Sequence, residues 1–107
     1  MKHEWQVVIS AEHPSLPGHF PGHPVVPGVL ILEEILVGLR KLDPEMVVTG
    51  LPAVKLSSPL KPGEALTIHV EIDSHRDVEF RCLVGTRGIA SGTIQVRRRT
   101  AGRTGSA

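Results

Sequence analysis

Between Leu66 and Val96 apolar and polar side chains alternate with the two-residue period of strands that bury one face. Leu66-Thr67-Ile68-His69-Val70-Glu71-Ile72 and Val78-Glu79-Phe80-Arg81-Cys82-Leu83-Val84 are two such strands. A turn at Thr86-Arg87-Gly88 leads into a third, Ile89 to Val96. Upstream, Trp5 to Ile9 reads as a short first strand, with β-branched residues between polar flanks. Leu51 to Leu56 reads as another, followed by the turn Pro59-Leu60-Lys61-Pro62-Gly63-Glu64. One helix is predicted, over Val29 to Lys41, and Asp43-Pro44 ends it. Between Glu12 and Pro27 the density of Pro and Gly forbids regular structure, so a long ordered loop precedes the helix.

The helix is apolar nearly all the way round, which predicts burial on most sides. One flat contact would leave half of it wet, so a sheet must wrap around it. The expectation is α+β: an antiparallel sheet around one central helix, the hot-dog architecture. Such sheets cover their exposed edges by pairing across a two-fold axis. Residues 1–99 are expected to form this one domain, with a disordered tail over 100–107.

A chain of 107 residues buries a modest core, which a second copy would help to complete. Hydrophobic content of 40% with a net charge of +1 excludes a disordered class. Aromatics amount to Trp5, Phe20 and Phe80, too few for the stacking platforms of single-stranded nucleic-acid binding. Arg97, Arg98, Arg99 and Arg103 concentrate positive charge near the end, weak ground for a nucleic-acid role. The apolar run Val25 to Leu32 is too short to insert in a membrane, and MKHEWQ lacks the apolar core of a signal peptide. The single Cys82 excludes an intrachain disulfide and fits a reducing, cytoplasmic setting.

The chemistry concentrates in Gly18-His19-Phe20-Pro21-Gly22-His23-Pro24-Val25-Val26-Pro27-Gly28-Val29-Leu30-Ile31-Leu32-Glu33. His19 sits on a stiff Pro/Gly loop, and an imidazole changes charge near neutral pH, which suits a general base. Gly28 opens the helix, where backbone N–H groups lack intrahelical partners and can hold an oxyanion. Glu33 follows in the second turn, among Val29, Leu30, Leu36 and Val37. Desolvation there would favour a protonated carboxyl able to donate to a leaving oxygen, although an ionised one positioning a hydroxyl or water serves equally. Periodicity alone does not separate Glu33 from Glu34, and His19 alone could be a structural loop residue. His13, His19 and His23 lack the helical spacing and cysteine partners of a metal site, so neither metal nor cofactor is expected.

HFPGHPVVPGVLILEE resembles the HFPGxPVxPGVLxxE signature of the FabZ/FabA-type 3-hydroxyacyl-acyl-carrier-protein dehydratases. Val54-Lys55-Leu56-Ser57-Ser58-Pro59-Leu60-Lys61-Pro62-Gly63-Glu64-Ala65-Leu66 is similar to that family's AKFRxPVxPGDxL segment. Arg87-Gly88-Ile89-Ala90-Ser91-Gly92 stands where the family has a hairpin. The resemblance places the catalytic histidine on His19, the catalytic carboxylate on Glu33, and the thioester-oxygen donor on Gly28. It also places substrate contacts at Phe20, Pro27 and Val29. It selects Glu33 over Glu34, which becomes the solvent-facing residue.

The resemblance implies dehydration of 3-hydroxyacyl chains on acyl carrier protein, without cofactor. It further implies a site shared between two subunits of a homodimer, a trimer of dimers or a heterodimer. Arg40, Lys41, Lys61 and the Arg97–Arg99 cluster are the candidate carrier-docking cations. The chain departs from the family in a shorter N-terminal segment and in Val37, where many members have glutamine. Both features look more like short aryl-polyene or polyketide-type dehydratases. The competing functions are a hot-dog acyl thioesterase, which has no need of the histidine loop, and a non-catalytic subunit of a heteromeric dehydratase.

Overall fold

The computed structural model describes residues 1–10, 25–73 and 77–99. In chain order the elements are β1 (Lys2–Val8), α1 (Gly28–Leu42), β2 (Met46–Leu56), β3 (Ala65–Ile72), β4 (Asp77–Val84) and β5 (Arg87–Arg98). The strands form one antiparallel sheet in the order β1-β3-β4-β5-β2. His13, His19, Phe20, His23, His75 and the expected tail over 100–107 lie outside the described residues.

The alternation read from the sequence becomes two faces. Trp5, Ile68, Cys82, Ala90 and Leu56 stand opposite one another across the five strands and turn toward the helix. Glu4, His69, Arg81, Ser91 and Lys55 form the neighbouring row on the polar face. The core joins Leu30, Ile31, Ile35 and Leu39 of α1 to Leu66, Ile68, Val78, Phe80 and Ile94 of the sheet. Cys82 is fully buried in it, and burial pushes its thiol up to about 12.

Three expectations are corrected. The helix is not buried on most sides: Leu30, Ile31, Ile35 and Leu39 form one covered stripe, while Val29, Val37 and Leu42 are exposed. A single sheet covers a single side. Next, β2 starts at Met46 rather than Leu51, because Gly50 and Pro52 interrupt the pattern without ending the strand. A proline N–H is missing at no cost on an edge strand, and register shifts mark the irregularity around Gly50. Finally, the β4–β5 turn falls at Gly85 and Thr86, with Gly85 at φ +60°, so Arg87 already belongs to β5. Arg97 and Arg98 are likewise strand residues, and Arg98 forms an ion pair with Asp43 at the end of α1.

The β2–β3 turn ties the sheet to the segments flanking it. The Gly63 N–H, from a residue with φ +88°, donates to the Ile9 carbonyl at 2.9 Å. The Val26 N–H donates to the Leu60 carbonyl at 2.8 Å.

Candidate active site at the start of the helix

Pro27 caps α1 from outside, with φ −59° and ψ 143°, and no side chain bonds to the cap. The ring fixes φ and removes one donor that a helix start could not have satisfied. The Leu30 N–H closes the first turn on the Pro27 carbonyl at 3.0 Å. Among the described residues none accepts a hydrogen bond from the Gly28 N–H. That donor therefore stands at the positive end of the helix dipole, able to take an external oxygen.

Residue 28 also stands close to the edge strand. A Cβ there would stand 2.9 Å from Leu56 Cδ1 on β2, so the edge strand closes against the helix start. Leu56 and Val54 of β2 are exposed, as are Val29 and Val37 of α1. Val29, Glu33 and Val37 follow one another at intervals of four residues, so they share one line along α1. Glu33 thus lies between two exposed valines, on the helix face turned away from its own sheet.

The burial expected for the two carboxylates is reversed. Glu33, expected to be desolvated, is exposed, and Glu34, expected to face solvent, is half-buried. The phase of the helix explains this. Leu30, Ile31, Ile35 and Leu39 define the core side, and Glu34 sits beside it, facing β1. There it helps line a cavity of about 360 Å³ with Trp5, Val37, Gly38 and Lys41. The Trp5 ring lies against Gly38 so closely that a Cβ on residue 38 would come within 2.2 Å of its Cζ2 atom.

Of the sequence-predicted site residues, Pro27 caps α1 and Gly28, Val29 and Glu33 lie in its first two turns. His19 and Phe20 lie outside the described residues. A larger hollow of about 690 Å³ lies over the polar face of the sheet, lined by Glu4, His69, Glu71, Glu79 and Arg81 among others. It mixes acidic and basic side chains, and it is separated from Gly28 and Glu33 by the thickness of the sheet. The sequence reading missed one feature of the surroundings. Glu64 accepts from the Lys61 N–H at 2.8 Å and from Arg87 Nη2 at 2.8 Å, holding its carboxyl below the usual range. The spacing of Lys61 and Glu64 in a Pro/Gly turn is the signal that could have found it.

Comparisons with known proteins agree with this architecture. The chain is 31% identical over 93 residues to the 3-hydroxyacyl-(acyl-carrier-protein) dehydratase FabZ of Myxococcus xanthus, covering 78% of this chain and 58% of that protein. It is 31% identical over 101 residues to the FabZ of a Wolbachia strain from Drosophila simulans, covering 80% and 68%. The chain therefore spans little more than half to two thirds of these relatives. Among solved structures, the dehydratase heterocomplex ApeI:P from Xenorhabdus doucetiae superposes with a TM-score of 0.82 at 24% identity, covering 91% of this chain and 88% of that one. The fold is the hot dog. The family description ApeI-like (ApeI dehydratase) matches residues 1–93, and the chain belongs to that family.

Proposed function

We propose that the chain dehydrates 3-hydroxyacyl thioesters carried by acyl carrier protein, giving trans-2-enoyl thioesters and water. In this reading His19 removes a proton from C2 and the electron pair moves toward the thioester carbonyl. The Gly28 N–H holds the oxygen on which negative charge develops. A single preorganised donor of this kind is worth about 2.7–4 kcal/mol. The C3–O bond then breaks, and Glu33 supplies or positions the proton that leaves with the hydroxyl as water. Pro27, Val29 and Phe20 line the acyl chain, and no cofactor takes part.

The observation that carries this reading is the first two turns of α1. The Gly28 N–H, with no acceptor among the described residues, opens α1 against the β2 edge, and the Glu33 carboxylate follows in the second turn between exposed Val29 and Val37. Family membership supplies the reaction class. An exposed carboxylate makes a poor acid–base partner in water, so the proposal includes a second copy. Packed on β2 and on the Val29–Val37 line, it would exclude water from Glu33 and bring its own His19 to that carboxylate. A related hot-dog chain could take that place, since the Xenorhabdus dehydratase ApeI:P is itself a heterocomplex. The carrier's acidic surface is proposed to meet Arg40, Lys41 and Lys61, with Arg97 and Arg99 at the far end of β5.

The test is a mass-spectrometric assay with 3-hydroxyacyl chains on carrier protein. Enoyl product from the wild type, largely lost in both His19→Ala and Glu33→Ala, is the expected result. Release of free thiol in place of enoyl product would assign a thioesterase instead.

A further inference from the structure

We infer that Glu64 and Arg87 are positioning residues for the start of α1, acting through the β2–β3 turn. This rests on the reading of Gly28 as the donor to the thioester oxygen. One carboxylate oxygen, Oε1 of Glu64, accepts from the Lys61 N–H and from Arg87 Nη2, both at 2.8 Å. The Glu64 N–H returns a bond to the Lys61 carbonyl at 3.2 Å, and Arg87 Nη2 also reaches the Pro59 carbonyl at 3.4 Å. The turn is thereby closed on itself and fastened to the first residue of β5.

Two backbone hydrogen bonds leave the same turn. The Leu60 carbonyl takes the Val26 N–H at 2.8 Å, and the Gly63 N–H goes to the Ile9 carbonyl at 2.9 Å. Leu60 and Val26 are both buried, so the first bond sits in a packed environment where it sets position firmly. Pro27 follows Val26 with its φ fixed by the ring, and Gly28 follows Pro27. A short, stiff path therefore runs from the Glu64 carboxylate to the Gly28 N–H. The second bond holds the end of the first strand, so both ends of the stretch between Ile9 and Val26 are held by one turn. His19 belongs to that stretch in sequence.

An ion pair this exposed adds little to global stability, since water and salt screen it. Its removal should appear in placement and turnover instead. The experiment compares Glu64→Ala, Glu64→Gln and Arg87→Ala with the wild type, following amide exchange at Val26 and Gly63, kcat and KM for enoyl formation, and Tm. In Glu64→Ala, exchange at both amides is expected to rise by roughly tenfold or more, while core amides such as Ile68 stay protected. A drop of about tenfold in kcat with KM nearly unchanged is expected to accompany it. Glu64→Gln keeps an oxygen for the Lys61 N–H and should recover most of both losses. Unchanged exchange at Val26 and Gly63, or raised exchange with wild-type kcat, overturns the inference. Should the wild type form no enoyl product, the Gly28 reading fails, and the exchange data still decide whether Glu64 holds the turn.

Discussion

Leu56 Cδ1 lies 2.9 Å from where a Cβ on residue 28 would stand, so the edge strand and the helix start meet at this glycine. The crowding atom is the far end of a flexible, exposed side chain that can turn aside. Proline is tolerated at the first position of a helix and keeps its φ, but it has no N–H. Pro27 ahead of it already has the extended ψ of 143° that a following proline demands. Gly28→Pro should therefore retain helix content by circular dichroism and lose roughly 10²–10³-fold in kcat, the effect of one missing oxyanion donor. A fully active Gly28→Pro would remove the Gly28 N–H from the mechanism.

The exposed Val54 and Leu56 on the β2 edge carry the proposed contact with a second copy. Val54→Lys places a charge on that edge without disturbing the core of the single chain. Sedimentation should show a shift from dimer to monomer, with enoyl formation falling in parallel. A Val54→Lys protein that stays dimeric and active would put the interface elsewhere.

Gly38 exists for Trp5. The indole is rigid and packed against the core, so unlike Leu56 it cannot turn aside for a new methyl group. Although alanine favours helix, Gly38→Ala should destabilise the protein by about 1–3 kcal/mol through overpacking. Denaturant titration measures this, and Trp5→Leu in the same chain should recover part of the loss. Its indole N–H is buried without a partner among the described residues, so leucine also removes an unsatisfied donor.

Burial raises the Cys82 thiol from 9.0 to about 12. The folded state holds this proton where the unfolded chain releases it, so the stabilising contribution is complete below pH 9.0 and is lost as pH rises toward about 12. Cys82→Ala should flatten the fall in unfolding free energy across that window relative to the wild type. Below pH 9.0 the thiol should resist iodoacetamide until the chain unfolds.

Much of this architecture is legible in the chain. Helix ends predicted at Val29 and Lys41 and found at Gly28 and Leu42 follow from punctuation by Pro27 and by Asp43-Pro44. Period-two alternation placed β3 and β4 within one residue at their starts. The full length of β2 was not legible, because Gly50 and Pro52 imitate a break when the edge position of the strand is unknown. The phase of α1 was hidden for a related reason. With Leu, Ile and Val on every side, the sequence does not say which apolar stripe meets its own sheet and which is left uncovered. Glu33 and Glu34 are neighbours in sequence, and that choice alone decides which one faces outward. The Glu64–Arg87 pair joins residues that only the folded sheet brings together.

Subunit complementation tests the central claim most directly, because it asks whether His19 and Glu33 complete one dehydrating site from two chains. His19→Ala and Glu33→Ala, each nearly inactive alone, are unfolded together, refolded as a mixture and assayed for trans-2-enoyl product by mass spectrometry. Random pairing of two such chains should restore about a quarter of wild-type turnover, since half the dimers are mixed and each mixed dimer holds one intact site. A mixture as inactive as its components, although mixed dimers form, or wild-type protein that yields no enoyl product, would contradict the account.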